Sequence, residues 1–538
     1  MHNLSQIEQP VTSSGRANAV SAATGRHREA SHADAGQPNG IDSRHWTLTG
    51  IAAIILASFA FLIPAFLNGF PFLYPDSGDY LVLTPQLYRS PFYSLFLLFA
   101  HMNRFIWNTV MVQALLLSWL LFIICRLYSS RPLATFSILV ALLVPFSSAA
   151  YFASFIMADL MTPLMFLAIY ILAFHWSELS RFDRIFVFLF TCLAACSHIA
   201  HVAMGIGLLA LVAVLLVLTG NSWRMVARRV GLLSVPIVLA TSALWLNNAI
   251  THRAFTLYPA GNSLLMANLI EAGPARRYIH DVCPAAGFKI CSIVDKLPRT
   301  ANQLLWGGSY RALGGLRAME DEARTIVSAT LRAYPQDVLA MVIRNFVAAL
   351  NTHRPAYEFV PWTGEVPSLT ALIEKKFGSE ARDAYLASAQ SKGRVPRDLI
   401  GAVDDVTFPI SFVAFVWFSF LALRRQMAEP ACLSILVVCG FIGNALLTSA
   451  ASGVFDRYQA RLSWLFLAAG VLVCARLRDA AIPASRPFIQ TALAALRLQP
   501  AFGRARIASI GSFGERAIPD QVVPNDPAGR NKLRPRKP

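Results

Sequence analysis

The chain has 538 residues, of which 55% are hydrophobic and only 14% charged, with a mean hydropathy of +0.50. Soluble domains carry about 25% charged residues, so this composition excludes a soluble protein and predicts an integral membrane protein. The formal net charge of +17 does not indicate nucleic-acid binding, because the basic residues lie in short clusters between apolar runs, as topology signals do.

Residues 1–45 are rich in Ser, Ala, Gly, Asn and His without an apolar period, which predicts a disordered tail. The first apolar run starts too late for a secretory signal peptide and is interpreted as a retained membrane helix. Spanning takes about 20 apolar residues. The sequence predicts an all-α polytopic membrane protein with about ten spans, seven within 46–250 and three within 407–476, near 46–68, 105–125, 132–148, 159–176, 185–199, 202–219, 230–249, 407–423, 431–449 and 462–476.

Arginines indicate the orientation, because short cytoplasmic loops are enriched in Lys and Arg. They recur in alternate short loops, at Arg126, Arg131, Arg181, Arg184, Arg224, Arg228, Arg229, Arg424 and Arg425, and again in the basic tail, 477–538. We therefore predict cytoplasmic N and C termini, in a cell membrane such as the bacterial inner membrane. The first loop (69–104) and the insertion at 251–406 are then extracytoplasmic.

The insertion is predicted to be a small mixed domain that covers or shapes a site at the membrane surface. Asp321–Ala333 and Asp337–Leu350 have helical apolar spacing, and glycine pairs interrupt the chain between other segments. Its two cysteines, Cys283 and Cys291, are expected to form a disulfide in an oxidising compartment, with two free thiols as the alternative. No zinc-ligand spacing occurs in the sequence.

Acidic residues at the predicted outer rim are the main candidates for chemistry, since carboxylates near a membrane are costly. Asp76 and Asp79 lie in the first loop, in the polar stretch Tyr74–Tyr93, and Asp159 begins the fourth predicted span. Together they could supply a general base, a second acid, or a seat for a divalent cation such as Mg²⁺ or Mn²⁺.

These features resemble the GT-C superfamily of membrane glycosyltransferases, which use polyprenyl-phosphate sugars, like the dolichyl-phosphate-mannose and aminoarabinose transferases. The resemblance rests on the first-loop aspartate, the following Arg89–Tyr93 (Arg-Ser-Pro-Phe-Tyr), a second acid at a later span and Asp456-Arg457-Tyr458 before the last span. It covers about 46–250 and 456–476 but not the insertion.

The resemblance implies a GT-C-like fold and a role for each matched residue. Asp76 would be the base, Asp79 its neighbour and Asp159 the second acid. Arg457 would bind the donor phosphate, and Arg89, Tyr93 and Tyr458 would contact substrate. The family's Asp-Glu pair is replaced here by Asp76-Ser77-Gly78-Asp79, which leaves the choice of base and the metal open.

The expected partners are a polyprenyl-phosphate-linked sugar, a glycan, lipid or protein acceptor and membrane lipids, without nucleic acid. Each candidate also has a simpler interpretation: Asp76-Ser77-Gly78 is typical of a turn, and Asp456 and Arg457 could pair with each other. His198 and His201 could bind the donor phosphate or a proton, or form a polar hairpin. Two alternative functions stay open. One is a transporter or flippase, and the other is a polymerase or ligase of lipid-linked surface polysaccharide.

Overall fold

The computed structural model describes residues 47–363 and 367–480. The predicted N-terminal tail (1–45) and most of the predicted basic tail, 481–538, lie outside the described residues. Within them the chain is helical and contains no β-strand, only an isolated parallel bridge between Phe72 and Phe155. The predicted all-α class is confirmed.

The N-terminal part forms a bundle of eleven α-helices and one 3₁₀-helix, Ala158–Leu160. The α-helices are α1 (Leu48–Phe61), α2 (Ile63–Asn68), α3 (Pro75–Val82), α4 (Pro91–His101), α5 (Trp107–Tyr128), α6 (Pro132–Phe146), α7 (Ala149–Ala153), α8 (Met161–Phe174), α9 (Arg181–Ser197), α10 (Ile199–Leu218) and α11 (Trp223–His252).

The regular secondary structure in the described residues of the insertion is helical, which differs from the mixed domain that we expected. Its helices are α12 (Gly261–Ala272), α13 (Pro274–Val282), the 3₁₀-helix Lys289–Lys296, α14 (Ala301–Trp306), α15 (Ser309–Ala312), α16 (Gly315–Ala333), α17 (Pro335–Leu350), α18 (Pro367–Phe377) and α19 (Ser379–Ala387). Gly308 and Gly314 have positive φ and precede helices, so these glycines separate helices instead of strands. Cys283 and Cys291 form a disulfide.

Three long helices complete the chain, namely α20 (Arg397–Arg424), α21 (Ala428–Ala451) and α22 (Asp456–Asp479). Helix α20 begins ten residues earlier than the predicted span, because its first turns contact His353 and Arg354 of the insertion. Helix α22 is the most buried of the membrane-length helices. It packs against α6, α20 and α21, so residues in its first turns lie inside the bundle.

Seven helical segments in the described part of the chain are long and apolar enough to cross a membrane: Leu48–Asn68, α5, α10, α11, α20, α21 and α22. The protein is therefore a multi-pass membrane protein. The other three predicted spans correspond to α6, α8 and α9, which have 15, 14 and 17 residues. The predicted total of about ten stays a prediction.

The two ends of the bundle differ in character. At one end, Arg126 contacts Asp183, and Asp479 accepts hydrogen bonds from Ser129 and the backbone of Ser130. We call the opposite end, where the loop after α2 meets α12–α19, the insertion end. The candidate residues of the first loop, the start of α8 and the start of α22 all lie there, because the chain alternates between the ends with each long helix.

Candidate functional site

The first loop is fixed in place by backbone pairing with the segment before α8. The amide of Phe72 donates to the carbonyl of Ser154 at 2.9 Å, and the amide of Ile156 donates to the carbonyl of Phe72 at 3.1 Å. Ser77, in the first turn of α3, donates its hydroxyl to the Ile156 carbonyl at 2.9 Å. These bonds hold the turn that carries Asp76 beside the segment that leads to Asp159.

The insertion closes over this loop through one buried glutamine. Gln390 accepts a hydrogen bond from the amide of Leu73 at 3.0 Å and donates to the Leu73 carbonyl at 2.6 Å. Phe359 stacks on Phe72 with ring centroids 4.0 Å apart. Gln390 and Phe359 flank the loop from two parts of the insertion, so the insertion forms one wall of the site.

Asp76 lies between two arginines. One carboxylate oxygen contacts Nη2 of Arg89, and the other lies 3.2 Å from Nη1 of Arg457. All three side chains are at least 83% buried. Arg89 also places Nε 3.5 Å from Asp79. The start of α3, the loop that follows it and the first turn of α22 thus form one charged cluster, although Asp76 and Arg457 are 381 positions apart in the sequence.

The two loop aspartates have opposite pKa shifts. Burial alone would raise the pKa of Asp76, but the charges of Arg89 and Arg457 outweigh it and hold this pKa below its usual range. Burial raises the pKa of Asp79 to about 6, because Arg89 only partly offsets the cost of desolvation and Asp76 adds to it. Asp76 is therefore ionised at neutral pH, while Asp79 titrates near neutrality.

Aromatic rings enclose Arg457. Its guanidinium lies 4.5 Å from the ring centre of Tyr74, 5.3 Å from that of Tyr458 and 5.8 Å from that of Phe455. Its buried Nε has no hydrogen-bond partner among the described residues. Such a side chain retains unused donors for an anion, since guanidinium donors bind phosphate and carboxylate well.

Asp159 takes part in a second ion pair, one helical turn deeper. Arg461 donates from Nη1 to Asp159 at 3.1 Å and from Nη2 to the side-chain carbonyl of Asn444 at 2.7 Å. Arg457 and Arg461 are four residues apart on α22 and share a face. The two ion pairs are thus adjacent layers of one network. Asp159 pairs with Arg461 and is not part of the group that Asp76 and Asp79 form with Arg89.

Glu358 is part of the site although the sequence did not single it out. It lies in the insertion after α17, is 9% exposed, and interacts with Tyr74 and Arg457. Burial raises its pKa, against the lowering effects of the Arg457 charge and the Tyr74 hydroxyl. The available sequence signal was an acid in an aromatic stretch between two prolines, Pro355 to Pro361.

Other predicted site residues have partners within the protein. The Tyr93 hydroxyl donates to Gln113 inside the bundle. His201 is fully buried, with Nε2 2.7 Å from the Thr162 hydroxyl and Nδ1 2.6 Å from the Ala194 carbonyl. His198 accepts from the amide at position 200 as the N-cap of α10. These three side chains contribute to packing around the site.

The carboxylates do not fit the divalent-cation seat that the sequence suggested. Asp76 and Asp79 contact Arg89, and Asp159 contacts Arg461, so guanidinium groups occupy oxygens that a cation would need. Within the described residues, the group with metal-ligand spacing is His175, Glu178 and Glu429 at the opposite end. Arg476 lies 2.9 Å from a Glu429 oxygen there.

A cavity of about 690 Å³ lies at the insertion end of the bundle. It lies between α2, α6 and α20, and its walls are mostly apolar, with Leu67, Val144 and Leu399 among them. Phe72 and Pro355 line it as well, and they belong to the segments that carry Asp76 and Glu358.

Comparison with protein-family models, curated proteins and solved structures found no match for this chain. Function must therefore be inferred from the site. The arrangement offers two buried arginines that converge on one carboxylate, a second carboxylate with a pKa of about 6 and, at the same end of the bundle, an apolar cavity. The arginines can bind an anionic group, and Asp79 can accept a proton beside it.

Proposed function

We propose that this chain is a GT-C-type membrane glycosyltransferase. It transfers a sugar, with inversion, from a polyprenyl-phosphate donor to a cell-envelope glycan, lipid or protein acceptor on the extracytoplasmic side. The observation that carries the proposal is the convergence of Arg89 and Arg457 on Asp76, with an apolar cavity at the same end of the bundle.

The arginines suit the leaving group. When the bond between the anomeric carbon and the phosphate oxygen breaks, the polyprenyl phosphate gains negative charge. Preorganised cations in a site with little water stabilise such charge more than water does. Arg457 has an unused Nε donor, and Asp76 keeps it and Arg89 close together. In this mechanism Asp76 positions the arginines.

Asp79 is the better base of the two loop aspartates. The acceptor hydroxyl must lose its proton as its oxygen attacks the anomeric carbon, and the best base has a pKa near the working pH. The pKa of Asp79 is about 6, whereas Asp76 is held ionised by two ion pairs and is a weak proton acceptor. The proposal thus moves the role of base from Asp76 to Asp79.

The cavity and the topology support a lipid-linked donor. The cavity is lined by apolar residues of membrane helices, as the chain of a polyprenyl donor requires. The arginines in alternate short loops favour an extracytoplasmic insertion end. Nucleotide sugars are not available on that side, while a lipid-linked sugar is.

The test is mass spectrometry of envelope glycans and glycolipids from cells that carry the wild-type gene, no gene, or Asp79→Asn. We expect the deletion to lose one sugar, and Asp79→Asn to lower its transfer by about 100-fold or more, as loss of a general base does. Arg382→Gln is the control, because Arg382 pairs with the exposed carboxylates of Glu374 and Asp383 and with no residue of the cluster.

Two outcomes would overturn the proposal. One is an unchanged glycan profile when Asp79→Asn is produced at wild-type level. The other is a lipid-linked intermediate that accumulates on the cytoplasmic face in the deletion strain, which would favour a flippase.

A further inference from the structure

Helix α17 of the insertion exposes a row of large apolar side chains. Leu339, Ile343 and Val347 recur every four residues and are 59%, 54% and 54% exposed. Leu331, at the end of α16, is 44% exposed. Residues at this spacing lie on one side of a helix. After the first turn, Arg344 is the one charged residue among the exposed positions of α17.

The opposite side of α17 is apolar too. Met341 is 2% exposed and, with Val338 and Val342, packs into the core of the insertion. A helix that is apolar on both sides is not stable in water unless its second side is covered. The exposed row therefore indicates a partner of apolar chemistry.

The position of α17 identifies that partner. It packs along the last turns of α21, where Asn345 donates to the carbonyl of Ser449. Ile442 and Leu446 on α21, a membrane-length helix, are themselves 39% and 46% exposed. Helix α17 thus lies beside the end of a membrane-length helix whose own exposed side chains are apolar, so lipid is the apolar partner within its reach.

We propose that α17 is an interfacial helix whose Leu339–Val347 face is inserted into the membrane leaflet at the insertion end, so that its partner is lipid. Interfacial helices bury an apolar face at the boundary between headgroups and chains, and Arg344 can extend its charge to the headgroups. The segment after α17 carries Glu358, so the membrane contact also positions one wall of the site.

Photocrosslinking tests the proposal on the full chain in native membranes. The photoreactive residue p-benzoylphenylalanine replaces Ile343 in one variant, Leu446 in a lipid-facing control, and Asp321, whose side chain is 96% exposed, in an aqueous control. Phospholipid adducts are read by the mass increase of the purified protein.

We expect a lipid adduct at position 343 in a yield within about two-fold of that at position 446, and a yield at least five-fold lower at position 321. A yield at 343 as low as that at 321 would overturn the proposal. So would a crosslink from 343 to a second copy of the chain or to another protein in place of lipid. This result does not depend on the glycosyltransferase proposal.

Discussion

Replacing Asp76 with asparagine removes the negative charge that two buried arginines share. Breaking a buried ion pair by deleting one partner costs about 3 to 5 kcal/mol, because the other charge remains buried without compensation. Asp76, Arg89 and Arg457 have side chains only 12%, 17% and 9% exposed, so this range applies. In the Asp76→Asn variant, Asp79 still lies near Arg89 and offsets part of its charge. We therefore expect a cost near the lower end of this range, about 3 kcal/mol.

Thermal unfolding of the purified protein in lipid nanodiscs measures the effect. An exposed ion pair contributes about 1 kcal/mol or less, so Arg382→Gln should unfold close to the wild-type temperature. The double variant Asp76→Asn/Arg457→Gln removes both charges. It should be less destabilising than the sum of the two single variants by about 1.5 kcal/mol or more. Additive effects, or an unchanged unfolding temperature for Asp76→Asn, would refute the electrostatic account of this cluster.

Three further outcomes follow from the structure. Transfer activity should rise as pH increases through about 6, because Asp79 must be deprotonated to act as base, and Asp79→Asn should lose this dependence. Gly440→Ala should destabilise the protein by about 1 to 3 kcal/mol, because its Cβ would clash with a buried phenylalanine ring of α8. Changing Cys283 and Cys291 to serine should lower the free energy of unfolding of the insertion by up to about 2.5 kcal/mol.

Each of these has its own readout and control. The pH dependence is measured as sugar transfer by purified protein, and an Asp79→Asn variant that keeps the same rise near pH 6 would argue against the base assignment. Gly443→Ala is the matched control for position 440, because a Cβ there meets no atom within 4 Å, and equal unfolding temperatures would contradict the packing argument. For the disulfide, the readout is a protease-resistance time course of the insertion. An unchanged time course would contradict the prediction.

The site shows where prediction from sequence ended. The sequence placed Asp76, Asp159 and Arg457 on one side of the membrane, because charge and hydropathy along the chain determine topology. It did not predict that Asp76 pairs with Arg457, or Asp159 with Arg461, since these partners lie 381 and 302 positions apart. Glu358 was missed for the same reason, because its neighbours Tyr74 and Arg457 come from other parts of the chain.

The sequence by itself determined that this protein lies in a membrane and that it is helical. It also determined which helices have apolar runs long enough to be identified without a structure. These properties depend on composition and on periodicity over about 20 residues, which are local. Only the tertiary structure decided the state of the charges in the Tyr74–Tyr93 stretch. Ion pairing and burial depend on which distant side chains meet, so Asp76, the predicted base, is held ionised between two arginines, while Asp79 titrates near neutral pH.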